Sequence, residues 1–155
     1  MSNPLIETWE IHNRINLYLL DALKEADLSA ELRPKAGRTV GAVFAHMHSV
    51  RLLWLKSASP ALFNQVAKIE TDSPTTRAQL KGALTTSSKA IADLVTAALA
   101  GDGRIKGFKP HATAFVGYLI SHESHHRGQI GMALRMAGFP LDKKVSFGIW
   151  EWGVR

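Results

Sequence analysis

"YLISHESHHRGQIGMALRMAGFP", residues 118–140, is the stretch on which the reading of this chain turns. It sits in a helical pattern that runs from about Pro110 to Ala137 and stops at Gly138, with Pro140 beyond, the residues that commonly end a helix. Within it His122 and His126 stand four apart, so their rings leave one face of the helix about one turn apart. Two nitrogen donors so placed can reach one divalent ion at about 2.0–2.1 Å each. From His122 the run also reads H-E-x-x-H, the spacing of zinc peptidases, in which the intervening glutamate, here Glu123, acts as general base.

A third histidine widens the choice. "VGAVFAHMHSVRLLWLKSA", residues 40–58, is a helix that Thr39 can cap, with Val43, Phe44, Met47, Val50, Leu53 and Trp54 expected to face inward. His46 lies beside that apolar stripe, where burying an imidazole is costly unless it finds a partner. An ion shared with His122 and His126 across a helical bundle is such a partner. His48 lies about 200° round the helix from His46, so the two cannot face one ion, and His48 is read as a bystander. His125 points away from the pair, while His12 and His111 are read as structural or solvated. The extended peptidase motif needs Gly at 129 and His at 132, where this chain has Gln129 and Met132. Glu151, the downstream carboxylate, falls in a short aromatic tail, and no edge strand is visible to hold a peptide. The zinc peptidase is therefore the lesser reading.

Two more helical patterns complete the set. Residues 4–26 repeat apolar positions at Leu5, Trp9, Ile15, Tyr18, Leu19 and Leu23. After a loop containing Pro34 and Gly37, then the second helix, Pro60 opens a separating loop, and Ser73–Pro74 signals a further helix start. That helix carries Leu80, Leu84, Ile91, Leu94, Val95 and Leu99 and stops at Gly101. With no alternating strand pattern and no internal repeat, the expectation is an all-α four-helix bundle forming one domain over residues 1–155. The connection from the second to the third helix, about fifteen residues, is long for a hairpin and suits a crossover that makes these two helices parallel. The tail "LDKKVSFGIWEWGVR" is expected to pack across the bundle.

Composition narrows the function. The chain has no cysteine, which excludes a disulfide scaffold, a Cys-ligated zinc finger and a thiol nucleophile. The net charge of +6 is dispersed over Arg33, Lys35 and Arg38, over Lys106 and Lys109, and over Lys143 and Lys144. Without a dense basic patch or a recognition-helix signature, nucleic acid is not expected as a partner. No apolar run approaches the roughly 18 residues of a membrane span, so no membrane association is expected. The first ten residues lack the basic-then-apolar pattern of a secretory signal, which makes a cytoplasmic location the expectation.

"AHMHSVRLLWL" followed much later by "YLISHESHHRGQIGMALRMAGFP" resembles the DinB/YfiT-like proteins, metal-binding four-helix bundles of about this size. The H-x-x-H-H-R-G-Q run and the His46…Trp54 pair carry the resemblance, and the "FGIWEW" tail extends it. It implies a divalent transition metal, zinc or nickel, held by His46, His122 and His126, the three residues that the helical faces also select. Through relatives that use bacillithiol or mycothiol, it implies a small-molecule substrate, among which low-molecular-weight thiols stand out, and it implies a homodimer. Three imidazoles leave a coordination position open, which suits a metal-dependent transferase or hydrolase. A non-enzymatic metalloprotein with a structural or ligand-binding site is the alternative. Candidate supporting residues are Glu123 or His125 behind a ligand imidazole, Arg127 for a substrate carboxylate or a helix contact, Gln129 for a neighbouring helix, and Tyr118 at a pocket wall.

Overall fold

The computed structural model describes residues 3–32, 38–70 and 75–155; Arg33, Pro34, Lys35, Gly37 and the Ser73–Pro74 signal lie outside the described residues. Helix α1 (Pro4–Asp21) starts where Asn3 accepts from the Leu5 amide and Pro4 fills the first turn. It ends earlier than its apolar pattern suggested. Asp27 accepts from the Lys24 amide at 2.8 Å and diverts the backbone into a 3₁₀ turn, Glu25–Ser29, that buries Leu28. Helix α2 (Val40–Ala58) begins after Thr39, which accepts from Ala42, as the sequence predicts. Pro60, expected in a loop, opens the short helix α3 (Pro60–Phe63). Helix α4 (Arg77–Ala100) is closed at its start by a capping box between Thr76 and Gln79 and ends at Gly101.

Helix α5 (Ala112–Met136) is capped by His111, whose Nδ1 accepts from the Ala114 amide at 3.2 Å. It ends where Gly138 adopts φ 86° and the Phe139 amide returns to the Leu134 carbonyl. The tail forms α6 (Lys143–Gly148) and a last 3₁₀ turn, and it packs on α1 as expected. There the Arg155 guanidinium lies 3.7 Å from the Tyr18 ring centre, and Gly148 sits so close to Tyr18 that a Cβ would collide with the ring.

Contacts along the four long helices give their directions. Trp9 and Asp21 of α1 meet Ser88 and Lys81 of α4, so these two run antiparallel. Gly41 of α2 lies near Thr75 and Arg51 reaches Leu84, so α2 and α4 are parallel. His12 and Asn16 of α1 meet Glu123 and Arg127 of α5 in the same direction, while α5 opposes α2. The architecture is an all-α bundle with an up-down-down-up course and a crossover through α3, as expected. His48 pins this crossover, its Nε2 lying 2.9 Å from the Ala67 carbonyl.

The interior is layered. One apolar cluster gathers Trp9, Leu55, Ile91, Val95, Phe115 and Leu119, and another gathers Leu19, Phe44, Met47, Leu84, Ile130 and Leu134. On every long helix buried polar residues lie between the two clusters: His12, Asn13 and Asn16, with Ile15 among them; His48 and Arg51; Ser87 and Ser88; Glu123 and His126. Two leucines expected inside are exposed. Leu53 is 66% exposed because it lies two residues, about 200°, from the buried Leu55; Leu99 is 37% exposed in the last turn of α4.

Candidate metal centre

The polar layer opens toward solvent in the groove between α2 and α5, and the histidines converge there. His46, His122 and His126 bring one donor nitrogen each within 4.8 Å of one another. The Nε2 atoms of His122 and His126 are 3.1 Å apart. Two nitrogens on one tetrahedral ion at about 2.0–2.1 Å would be roughly 3.3 Å apart, so this spacing is close to a ready-made coordination edge. The His46 ring meets His126 edge-on, with centres 4.8 Å apart. One turn of α5 separates His122 from His126, and the antiparallel course of α2 sets His46 opposite them.

Protonation favours ligation. His126 Nδ1 lies 2.8 Å from Gln129 Oε1, which places the proton on Nδ1 and the lone pair on Nε2, facing the cluster. Burial lowers the pKa of all three imidazoles, and the neighbouring His126, Arg38 and His122 help to bring His46 to about 4. All three are therefore neutral donors at neutral pH. The Nδ1 of His122 is buried without a partner among the described residues. Three neutral imidazoles in this arrangement fit a divalent transition ion.

The remaining candidates take distinct places. Tyr118 is 40% exposed and stacks on His122, with interplanar angle 19° and ring centres 6.3 Å apart. His125 is exposed and meets His126 edge-on. Gln129, expected to reach another helix, instead accepts from His126 on its own helix. Glu123 faces the interior. Its Oε1 accepts from Arg51 Nε at 2.7 Å, and its Oε2 accepts from Arg51 Nη2, from Asn16 Nδ2 and from His12 Nε2 at 2.7–2.8 Å. Burial alone would raise its pKa, but the Arg51 guanidinium and these hydrogen bonds hold it well below the usual carboxylate range. Arg127 turns toward α1 and donates to Asn16, to His12 Nδ1 and to Ser124. Glu151 is in the tail, 3.2 Å from Arg155.

Sequence reasoning missed the rest of this network. Arg51 is fully buried, donates to Asn13, Leu84 and Ser87 as well as Glu123, and stacks on Trp9 with its guanidinium carbon 4.8 Å from the ring centre. His12 receives Arg127 on one nitrogen and donates to Glu123 from the other, so it is neutral, and burial lowers its pKa accordingly. The available signal was the polar run His12, Asn13, Asn16 on the face of α1 that also carries Trp9, Ile15 and Leu19.

The model of the DinB family matches residues 1–142, which takes in all four long helices and the three clustered histidines. The chain belongs to the DinB family. No curated protein and no solved structure matches it. The DinB match ends at the cap of α6, so the tail that folds back over Tyr18 stands outside it.

Proposed function

We propose that this DinB-family chain uses His46, His122 and His126 to hold one divalent transition ion, zinc or nickel, and acts on a small molecule there. The reaction class is a metal-dependent transfer of a low-molecular-weight thiol, or a hydrolysis. The carrying observation is the donor set: three neutral imidazoles converge, and no fourth histidine or carboxylate among the described residues joins them. Structural zinc sites have four protein ligands as a rule, whereas three-donor sites leave room for a reactant. An ion so held supplies Lewis acidity, which favours the deprotonated form of a thiol or a water molecule.

The protein's own residues have separable tasks. Gln129 fixes the tautomer and ring orientation of His126. Tyr118, beside His122 and half in solvent, forms a wall of the open side. Glu123 is engaged on both oxygens by the interior network, which argues against the general-base task it has in H-E-x-x-H peptidases. The same ion would tie α2 to α5, so a non-enzymatic staple is the second reading. It requires a closed coordination shell.

The test is metal content per chain by mass spectrometry, for wild type and His46→Ala purified without chelator or His-tag. About one transition ion per wild-type chain is expected, with under a tenth of that in the variant. Thiol-transfer and ester-hydrolysis assays with and without chelator follow. A metal-free wild type, or a variant that keeps its full complement, overturns the site; full activity after chelation overturns the mechanism.

A further inference from the structure

Toward the C-terminal end of α2, the imidazoles are bordered by aromatic rings. Tyr118 lies one turn from His122 and presents its ring to the groove at 40% exposure. Its hydroxyl has no hydrogen-bond partner among the described residues. Trp54 supports that ring edge-on, with centres 5.7 Å apart, and is itself held edge-on by Phe108 and Phe115. Phe108 also meets Tyr118, with ring centres 5.7 Å apart. Solvent-facing apolar side chains beside a small set of convergent polar donors are the usual make-up of a small-molecule site.

We infer that Tyr118, backed by Trp54 and Phe108, forms a subsite for an aromatic or branched apolar group carried by the molecule whose donor atom reaches the three imidazoles. The inference rests on the metal reading above and adds the chemical class of its substrate. Four residues of helix span about 6 Å, so the apolar group sits two or three bonds from the donor atom, at the level of Tyr118. Trp54, locked between three other rings, gives the wall a fixed orientation, which limits the entropy lost when a flat group stacks on Tyr118.

The test uses protein loaded with cobalt(II) and two thiols with the same head group, ethanethiol and 2-phenylethanethiol, titrated by the sulfur-to-cobalt charge-transfer absorption. Covering about 60 Å² of the ring corresponds to about a tenfold tighter dissociation constant for the phenyl compound. In Tyr118→Ala that ratio is expected to fall below about threefold, while Tyr118→Phe keeps it, with cobalt stoichiometry unchanged in both. A wild type that takes up no cobalt overturns the metal reading itself. Cobalt uptake with equal affinity for the two thiols, or a tenfold ratio that survives Tyr118→Ala, overturns the subsite alone. Light scattering on the same samples supplies one more outcome: a dimer that Tyr118→Ala converts to monomer would mean that a second copy covers this face, and would also overturn it.

Discussion

Gln129 Oε1 is the acceptor for the His126 Nδ1 proton, at 2.8 Å, and its loss leaves the ring of this proposed ligand free to turn. Gln129→Ala is expected to weaken metal binding by about 10–100-fold while leaving the helix intact, read by competition with a chromophoric chelator. An unchanged affinity would mean that packing alone orients the ring. At this scale the sequence was partly legible. The 200° between His46 and His48 meant that only one of them could join His122 and His126, and the structure puts His46 at that cluster and His48 on the Ala67 carbonyl. Glu123 was not legible in the same way. Its position in H-E-x-x-H says which way it leaves α5, about 100° from His122, but not that Arg51, His12 and Asn16 await it on two other helices.

Arg51 and Glu123 join α2 to α5 by two parallel hydrogen bonds, and each lies within a turn and a half of a clustered histidine on its own helix. Removing one partner strands the other charge in the interior. Arg51→Met is therefore expected to cost about 3–5 kcal/mol in urea denaturation, far more than an exposed pair such as Lys89–Asp93, where the same measurement should find about 0.5 kcal/mol or less. A loss below about 1 kcal/mol for Arg51→Met would mean that the network relaxes around the vacancy. Gly148→Ala tests the tail: the added methyl collides with Tyr18, so protease cleavage after about residue 142 should become several-fold faster while the bundle melts as before. Helix starts with a capping side chain, such as Thr39 at α2, were readable one residue at a time. The end of α1 was not, because Leu23 continues the apolar period and only the Asp27 side chain, bonding back to Lys24, breaks it.

Across the whole molecule, five imidazoles share one electrostatic condition. Burial lowers the folded pKa of His12, His46, His48, His122 and His126 from 6.5, in His46 to about 4. As pH falls from about 6.5 toward 4 the unfolded chain binds protons that the folded chain refuses, so the stability of the metal-free protein falls with pH across that window. Glu123 joins this trend as the pH enters the ordinary carboxylate range, where the unfolded chain's glutamate takes up a proton that the folded one, with its lowered pKa, still refuses. The urea midpoint of chelated protein should therefore be lower at pH 5 than at pH 7; a midpoint that does not move would contradict the buried, neutral state of these rings. The bundle and its parallel pair of helices followed from helix number and one long connection. The polar layer did not, because each of its members looks like an isolated exception to the apolar pattern of its own helix and makes sense only when four helices are superposed.

The separation of the ligands along the chain has a consequence in time. His46 comes within the first third of the sequence and His126 only in the last fifth, with the crossover and all of α4 between them. During synthesis, a growing chain that has just released α4 offers one imidazole of the three, and the pair on α5 gains its third member only when that helix has emerged and packed on α2. If the cluster holds an ion as proposed, full three-donor loading waits for a chain made through α5 and folded.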